Sequence, residues 1–189
     1  AVVPSDLAPC HLVAGGGIAA MARHWHGKMR RPTEIQPLGL LADASGRVLN
    51  LAQFRLREDT SIACIGPRVI AVAGTSMNAG KTSAAANLMR GLVAAGLRVA
   101  AAKVTGTGAA GDIMMFVDAG AAPVVDITDL GYASTYRAPP AEVEQIMRQA
   151  VGYLGRSAPD VIVFEVADGL YQQETAALKQ NLREDEEAV

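Results

Sequence analysis

Lys81 and Thr82 follow Gly80 where an apolar run, Val69–Ala73, gives way through small residues to an Ala/Leu-rich stretch. An ammonium and a hydroxyl at such a junction are the groups that hold a polyphosphate. Backbone N–H groups of the loop can curl around anionic oxygens, and the N-terminus of the following helix adds positive potential. Lys81 would reach the β- and γ-phosphates, and the Thr82 hydroxyl would hold Mg²⁺. The candidate loop is Gly74, Thr75, Ser76, Met77, Asn78, Ala79, Gly80, Lys81, Thr82 and Ser83. It departs from the pattern G-x-x-x-x-G-K-[ST]: Gly74 lies one residue too early, and Thr75 stands at the expected glycine. The competing reading is a chance Gly-Lys-Thr, and the order strand, loop, helix argues against it.

Two further places supply complementary chemistry. The run "AAKVTGTGAAGD" puts Lys103 at a strand end, then Gly106-Thr107-Gly108, then Asp112. Lys103 there would meet a ligand at the edge of a parallel sheet. A loop lysine and a helix-capping aspartate are the plainer alternative. In "DVIVFEVADG" Glu165 follows apolar residues, as a Mg²⁺-linked acid does in nucleotide enzymes, and Asp168 lies just beyond the strand. A carboxylate buried at a strand end is costly unless paired or metal-linked, which favours function for Glu165. In "DITDLGYASTYRAPP", Asp126, Asp129, Ser134, Thr135, Tyr136 and Arg137 suit recognition of a polar substrate, or simply form a loop before the helix that Pro139-Pro140 starts. Gln172, Gln173 and Glu174 extend that site or begin a solvated helix. His24 and His26, at i and i+2, would fall on different faces of a helix and make a poor metal pair.

The elements that must position these groups alternate. Strands are expected at Val69–Ala73, Arg98–Ala102, Pro123–Ile127 and Asp160–Val166. Helices are expected from Lys81 to about Ala95, ended by Gly96, over Asp112–Ala119, and over Glu142–Leu154. Continuous apolar strands separated by helices imply a parallel sheet covered on both faces. The expected fold is therefore α/β, three layers around a mostly parallel sheet, over residues 68–189. Residues 1–67 form a small α+β segment: a helix from Ile18 to about Met29 after the triplet Gly15–Gly17, and two short strands around Asp43–Gly46. "REDTS" reads as a linker, with Gly66-Pro67 at the boundary.

Composition narrows the classes. A formal charge of −2 offers no broad attraction to nucleic acid or anionic membrane, so neither is expected as a partner. No apolar run approaches the ~20 residues that span a bilayer. Cys10 and Cys64 have no metal-ligand spacing and read as reduced thiols. A cytoplasmic protein is the expectation, and the absence of an initiating Met leaves room for upstream residues.

The loop "GTSMNAGKT", the lysine of "KVTGTG", Asp112 and "FEVADG" together resemble dethiobiotin synthetase and its relatives, among them the cobyrinic acid a,c-diamide synthases. In that group Gly-Thr, further residues and Gly-Lys-Thr recur with this spacing. The resemblance covers about Arg68 to Leu170. It implies a P-loop enzyme using ATP and Mg²⁺, with Thr82, Asp112 and Glu165 at the metal. Lys81 and Lys103 would be catalytic, Lys103 steadying the transferring phosphate or a substrate carboxylate. The departures are Val104-Thr105 for Pro-Val after the lysine, and "VADG" for Gly-Ala-Gly-Gly after the glutamate. Partitioning ATPases carry a signature lysine where this chain has Ser76, and GTPases an Asn-Lys-x-Asp motif that is missing here. ATP is the expected nucleotide. The implied function is phosphoryl transfer that activates a small-molecule carboxylate or carbamate. A simple kinase, a nucleotide switch acting on a protein partner, and a binding remnant without turnover are the alternatives. The resembled group often places its site between two copies, so a homodimer is an expectation too.

Overall fold

A computed structural model describes residues 1–56 and 66–167. The N-terminal part is a small antiparallel sheet of β1 (Cys10–Ala14), β2 (Ile18–Ala20) and β3 (Glu34–Ile35), in the order β2-β1-β3. The helix expected over Ile18–Met29 is not formed. Gly15–Gly17 is instead the turn of a hairpin, with Gly17 at φ +81°, and His11 and Leu12 register against Ala20 and Ala19. Pairing with β1 outweighs local helix preference, because it satisfies the backbone groups of Ile18–Ala20 and buries Ala20 and Cys10. The turn at Asp43–Gly46 is present, but the flanking pairing is one bridge, Ala42 to Val48. A short 3-10 helix follows at Leu51–Phe54, capped reciprocally by Asn50 and Gln53.

The larger sheet is parallel and four-stranded, built from β4 (Arg68–Val72), β5 (Val99–Lys103), β6 (Val124–Asp126) and β7 (Val161–Glu165). Its order is β4-β7-β5-β6. Helices α1 (Lys81–Ala94), α2 (Ala110–Asp118) and α3 (Pro140–Gly155) cover it. Strand alternation divides the apolar residues between two cores. Ala100, Ala102, Ile162 and Phe164 meet Val143, Ile146, Ala150 and Leu154 of α3. Val99, Ala101, Val161 and Val163 meet Ala85, Ala86 and Met89 of α1 and Phe116 of α2. The result is the expected three-layer α/β arrangement. Gly96, at φ +84°, ends the first of these helices as expected. No helix among the described residues is long and apolar enough to cross a membrane.

The same alternation sets the site. Lys103 and Glu165 share the parity of Ala101 and Val163, so both end on the face covered by α1 and α2. They are direct register partners, and Val72 is the partner of Glu165 on its other side. The strand leading into the Gly74–Gly80 loop therefore lies beside the strand that ends in the acid.

Candidate functional site

The loop from Gly74 to Gly80 is open to solvent over most of its length, and Met77 is 72% exposed. Its shape requires unusual backbone at two positions. Asn78 has φ 61° and Gly80, the residue before α1, has φ 84°. Asn tolerates the left-handed region better than most side chains, and Gly adopts it freely. Between them Ala79 donates its N–H to Ser76 O at 3.4 Å. Among the described residues no side chain caps α1, so its N-terminus keeps its positive potential toward the loop. Ser83 is exposed in the first turn, with its carbonyl accepting from the Asn87 side chain.

Gly74 explains its own displaced position. A Cβ there would lie 2.8 Å from Lys81 Cγ and 3.0 Å from Cδ. The lysine stem thus crosses the space a side chain would need, and the early glycine serves the lysine. Lys81 is 7% exposed, and its Nζ donates to Ser76 O at 2.8 Å. That bond keeps the ammonium on the loop.

Thr82, in the first turn of α1, reaches the acids. Its Oγ1 lies 2.9 Å from Glu165 Oε1 and 3.3 Å from Asp112 Oδ1. One hydroxyl proton serves one acceptor at a time, and the shorter contact is to Glu165. Asp112, in the first turn of α2, turns its other oxygen to Lys103 Nζ in an ion pair. Lys103 is 5% exposed. Asp112 thereby joins the ends of β5 and α1.

Among the described residues, Glu165 Oε2 is buried without a hydrogen-bond partner. Burial pushes the Glu165 carboxyl above the ordinary carboxylate value. The Thr82 hydrogen bond opposes this, the negative charge of Asp112 adds to it, and the ammoniums of Lys103 and Lys81 oppose it. A desolvated carboxylate oxygen with nothing to bond is where a cation would be welcomed. Hard oxygen donors from Thr82, Asp112 and Glu165 fit Mg²⁺, which is held by one or two carboxylates plus phosphate oxygens and water. Among the described residues, no three His, Cys, Asp or Glu side chains are grouped so as to hold a metal ion by themselves.

The sequence matches no family model and no curated protein. Among solved structures, it is similar to the signal recognition particle receptor FtsY from Elizabethkingia anophelis, at 19% identity and a TM-score of 0.45, over 71% of this chain and 41% of that one. The same receptor in complex with GDP gives 23% identity and a TM-score of 0.42, over the same shares. The signal recognition particle 54 kDa protein from Aeropyrum pernix K1 in complex with GDP gives 18% and 0.44, over 62% and 27%. The chain thus spans less than half of each of these chains. Similarity at this level adds nothing to what the sheet order and the loop geometry display.

Other candidate residues do different work. Asp126 Oδ1 accepts from Thr128 N at 2.7 Å and from the Thr128 hydroxyl, while Asp129 Oδ2 accepts from Asp126 N at 2.9 Å. Both acids shape their own turn. Ser134 Oγ accepts from Tyr136 N at 3.0 Å, and Tyr136 is 71% exposed. His26 closes a turn, its O and Nδ1 accepting from Met29 N and Lys28 N. Asp168, Gln172, Gln173, Glu174, Cys64 and the "REDTS" linker lie outside the described residues.

Sequence reasoning missed the Lys103–Asp112 pair, having assigned the two to separate ligands. It also missed the partner of the Gly106 loop. Thr135, 3% exposed, donates its N–H to Gly106 O at 2.9 Å and accepts from Gly106 N at 2.8 Å through Oγ1. The glycines at 106 and 108 were the only local sign of a close approach.

Proposed function

We propose that this chain binds ATP with Mg²⁺ in the Gly74–Ser83 loop and works as a nucleotide-dependent switch. One observation carries the nucleotide reading: Lys81, Thr82, Asp112 and the unpartnered Glu165 Oε2 converge at the uncapped N-terminus of α1. Loop amides would bind the phosphates, and Lys81 would exchange its bond to Ser76 O for a phosphate oxygen. Thr82, Asp112 and Glu165 would hold Mg²⁺, which when bound neutralises charge on the β- and γ-oxygens. Adenine is taken as the base, with GTP as the comparison in the test below, since residues 1–189 carry no Asn-Lys-x-Asp motif.

The switch is supported by how the segment after Lys103 is held. Its backbone is bonded to Thr135 and lies against the N-terminal hairpin turn, which suits relaying a change better than enclosing a mobile acceptor. The second reading is phosphoryl transfer to a carboxylate or carbamate, or to another small acceptor. Lys103, at the carboxyl end of β5, favours that reading, since ligands of parallel sheets bind at that edge. There Lys81 and Lys103 would be the catalytic groups, with Lys103 released from Asp112 to meet the acceptor.

Titrating ATP and GTP into wild type, Lys81→Ala and Glu165→Gln, with and without Mg²⁺, tests the reading. Mg²⁺-dependent ATP binding that Lys81→Ala weakens supports it, and unchanged binding in Lys81→Ala overturns the phosphate site. ATP consumption stimulated by a carboxylate metabolite would favour transfer chemistry over the switch.

A further inference from the structure

We propose that the loop Thr105–Ala109 is a relay from the phosphate site to the N-terminal sheet, with Thr135 as the positioning residue that latches it. The inference rests on the nucleotide-binding reading and adds what that binding controls.

Consecutive residues of this loop touch different parts of the molecule. Gly106, at φ +103°, lies against the Lys103 stem: a Cβ there would be 3.4 Å from Lys103 Cε and 3.0 Å from Ala167 Cβ. Thr135 grips the same glycine by both backbone groups, and Thr107 bridges to Ser134. Gly108 meets the Thr128 methyl on its own account and is also covered by the β1–β2 turn. A Cβ on Gly16 of that turn would lie 2.6 Å from Gly108 O and 3.0 Å from its carbonyl carbon. Gly16 is not in the left-handed region, so close approach is the reason for glycine there.

This arrangement transmits displacement. Lys103 is held by Asp112, one of the residues that would hold Mg²⁺. A cation shared by Asp112 weakens its hold on the ammonium, since like charges compete for one carboxylate. When Lys103 re-aims, Gly106 is placed to respond, because only the space of an absent Cβ separates it from the end of the lysine stem. The motion passes from Gly106 to Gly108 and on to Gly16 through backbone contact, without a flexible side chain between to absorb it. Packed contacts of this kind move between discrete arrangements instead of deforming smoothly.

The test is hydrogen exchange on the full chain, with and without Mg²⁺ and a non-hydrolysable ATP analogue, with analogue affinity measured in parallel. In wild type, exchange of the Cys10–Ala20 amides should change several-fold on binding. In Thr135→Val, affinity should stay within about threefold of wild type, while the change at Cys10–Ala20 disappears. Thr135→Ser, which keeps the hydroxyl, should restore it. A merely structural Thr135 would alter basal exchange and leave the ligand-dependent difference intact, and that result overturns the proposal. If Thr135→Val fails to fold, Gly16→Ala carries the same expectation from the other end. Binding without any change at Cys10–Ala20 in wild type sinks the relay and leaves the nucleotide site standing. Absence of binding in wild type, with Mg²⁺ present, sinks both.

Discussion

Thr82 Oγ1 lies 2.9 Å from Glu165 Oε1, across 83 residues of sequence. The contact fixes the first turn of α1 to the end of β7, and so fixes the Gly74–Gly80 loop relative to the acid. It follows from register: Glu165 stands beside Val72, the last residue of the strand that enters the loop. Among the described residues, the hydroxyl gives the Glu165 carboxyl its one hydrogen bond and leaves Oε2 without a partner.

That imbalance predicts a pH dependence. The Glu165 carboxyl is raised above its ordinary value, chiefly by burial. The folded state therefore holds a proton that the unfolded state releases, and stability falls as pH rises from the unfolded value toward the folded one. Below that window the penalty is absent; above it the full cost of the buried charge is felt. Glu165→Gln should remove the decline and raise ligand-free stability near neutral pH, while losing Mg²⁺-dependent ligand binding. Urea unfolding of both proteins across the acidic-to-neutral range checks this. A parallel decline in Glu165→Gln would show that another group is responsible.

Lys81→Ala should weaken nucleotide binding by about 1.5–3 kcal/mol, the range for hydrogen bonds to charged groups. That is roughly a tenfold to hundredfold loss. The fold should survive, because among the described residues the ammonium's hydrogen bond is to a carbonyl of the exposed loop. Isothermal titration with Mg²⁺ and the analogue gives the affinity, and the melting temperature without ligand gives the control.

Gly74→Ala should resemble Lys81→Ala in binding although it leaves every ligand-facing group in place. The added methyl would meet Lys81 Cγ at 2.8 Å and push the stem off its path. Equal affinity in Gly74→Ala and wild type would show that the lysine stem has room to move. In that case the early glycine would owe its place to something else.

The limits of the sequence follow the range of the interactions. Gly-Lys-Thr after Val69–Ala73 and Glu165 after an apolar run were legible because each is written within a few residues. The alternation of strands and helices gave the order of layers for the same reason. Ile18–Met29 was misread although its partner, β1, is close in sequence: Gly15–Gly17 was taken as the lead into a helix and is the turn of a hairpin, and pairing decides the conformation of Ile18–Ala20. The bonds of Thr135 to Gly106 span 29 residues and leave no mark on the residues around Thr135. Lys103 and Asp112 were each recognised, but their ion pair depends on where α2 settles over the sheet.

Lys103 and Asp112 give the last prediction, a double-mutant cycle. Lys103 is almost fully buried, whereas Asp112 keeps some solvent contact. Removing the carboxylate leaves a desolvated ammonium with a weaker counter-charge, since Glu165, the other acid beside it among the described residues, is itself disfavoured in its charged form. Asp112→Asn should therefore destabilise the ligand-free protein by about 1–3 kcal/mol, less than a fully buried broken pair costs because water still screens one partner. Lys103→Met removes the buried charge along with the pair and should cost less than Asp112→Asn. In the Lys103→Met background, Asp112→Asn should cost close to nothing, and the coupling energy from urea unfolding measures the pair. A cost for Asp112→Asn that is the same in both backgrounds would show that the ion pair contributes nothing to stability. Asp112 would then be kept for its place beside Thr82 alone.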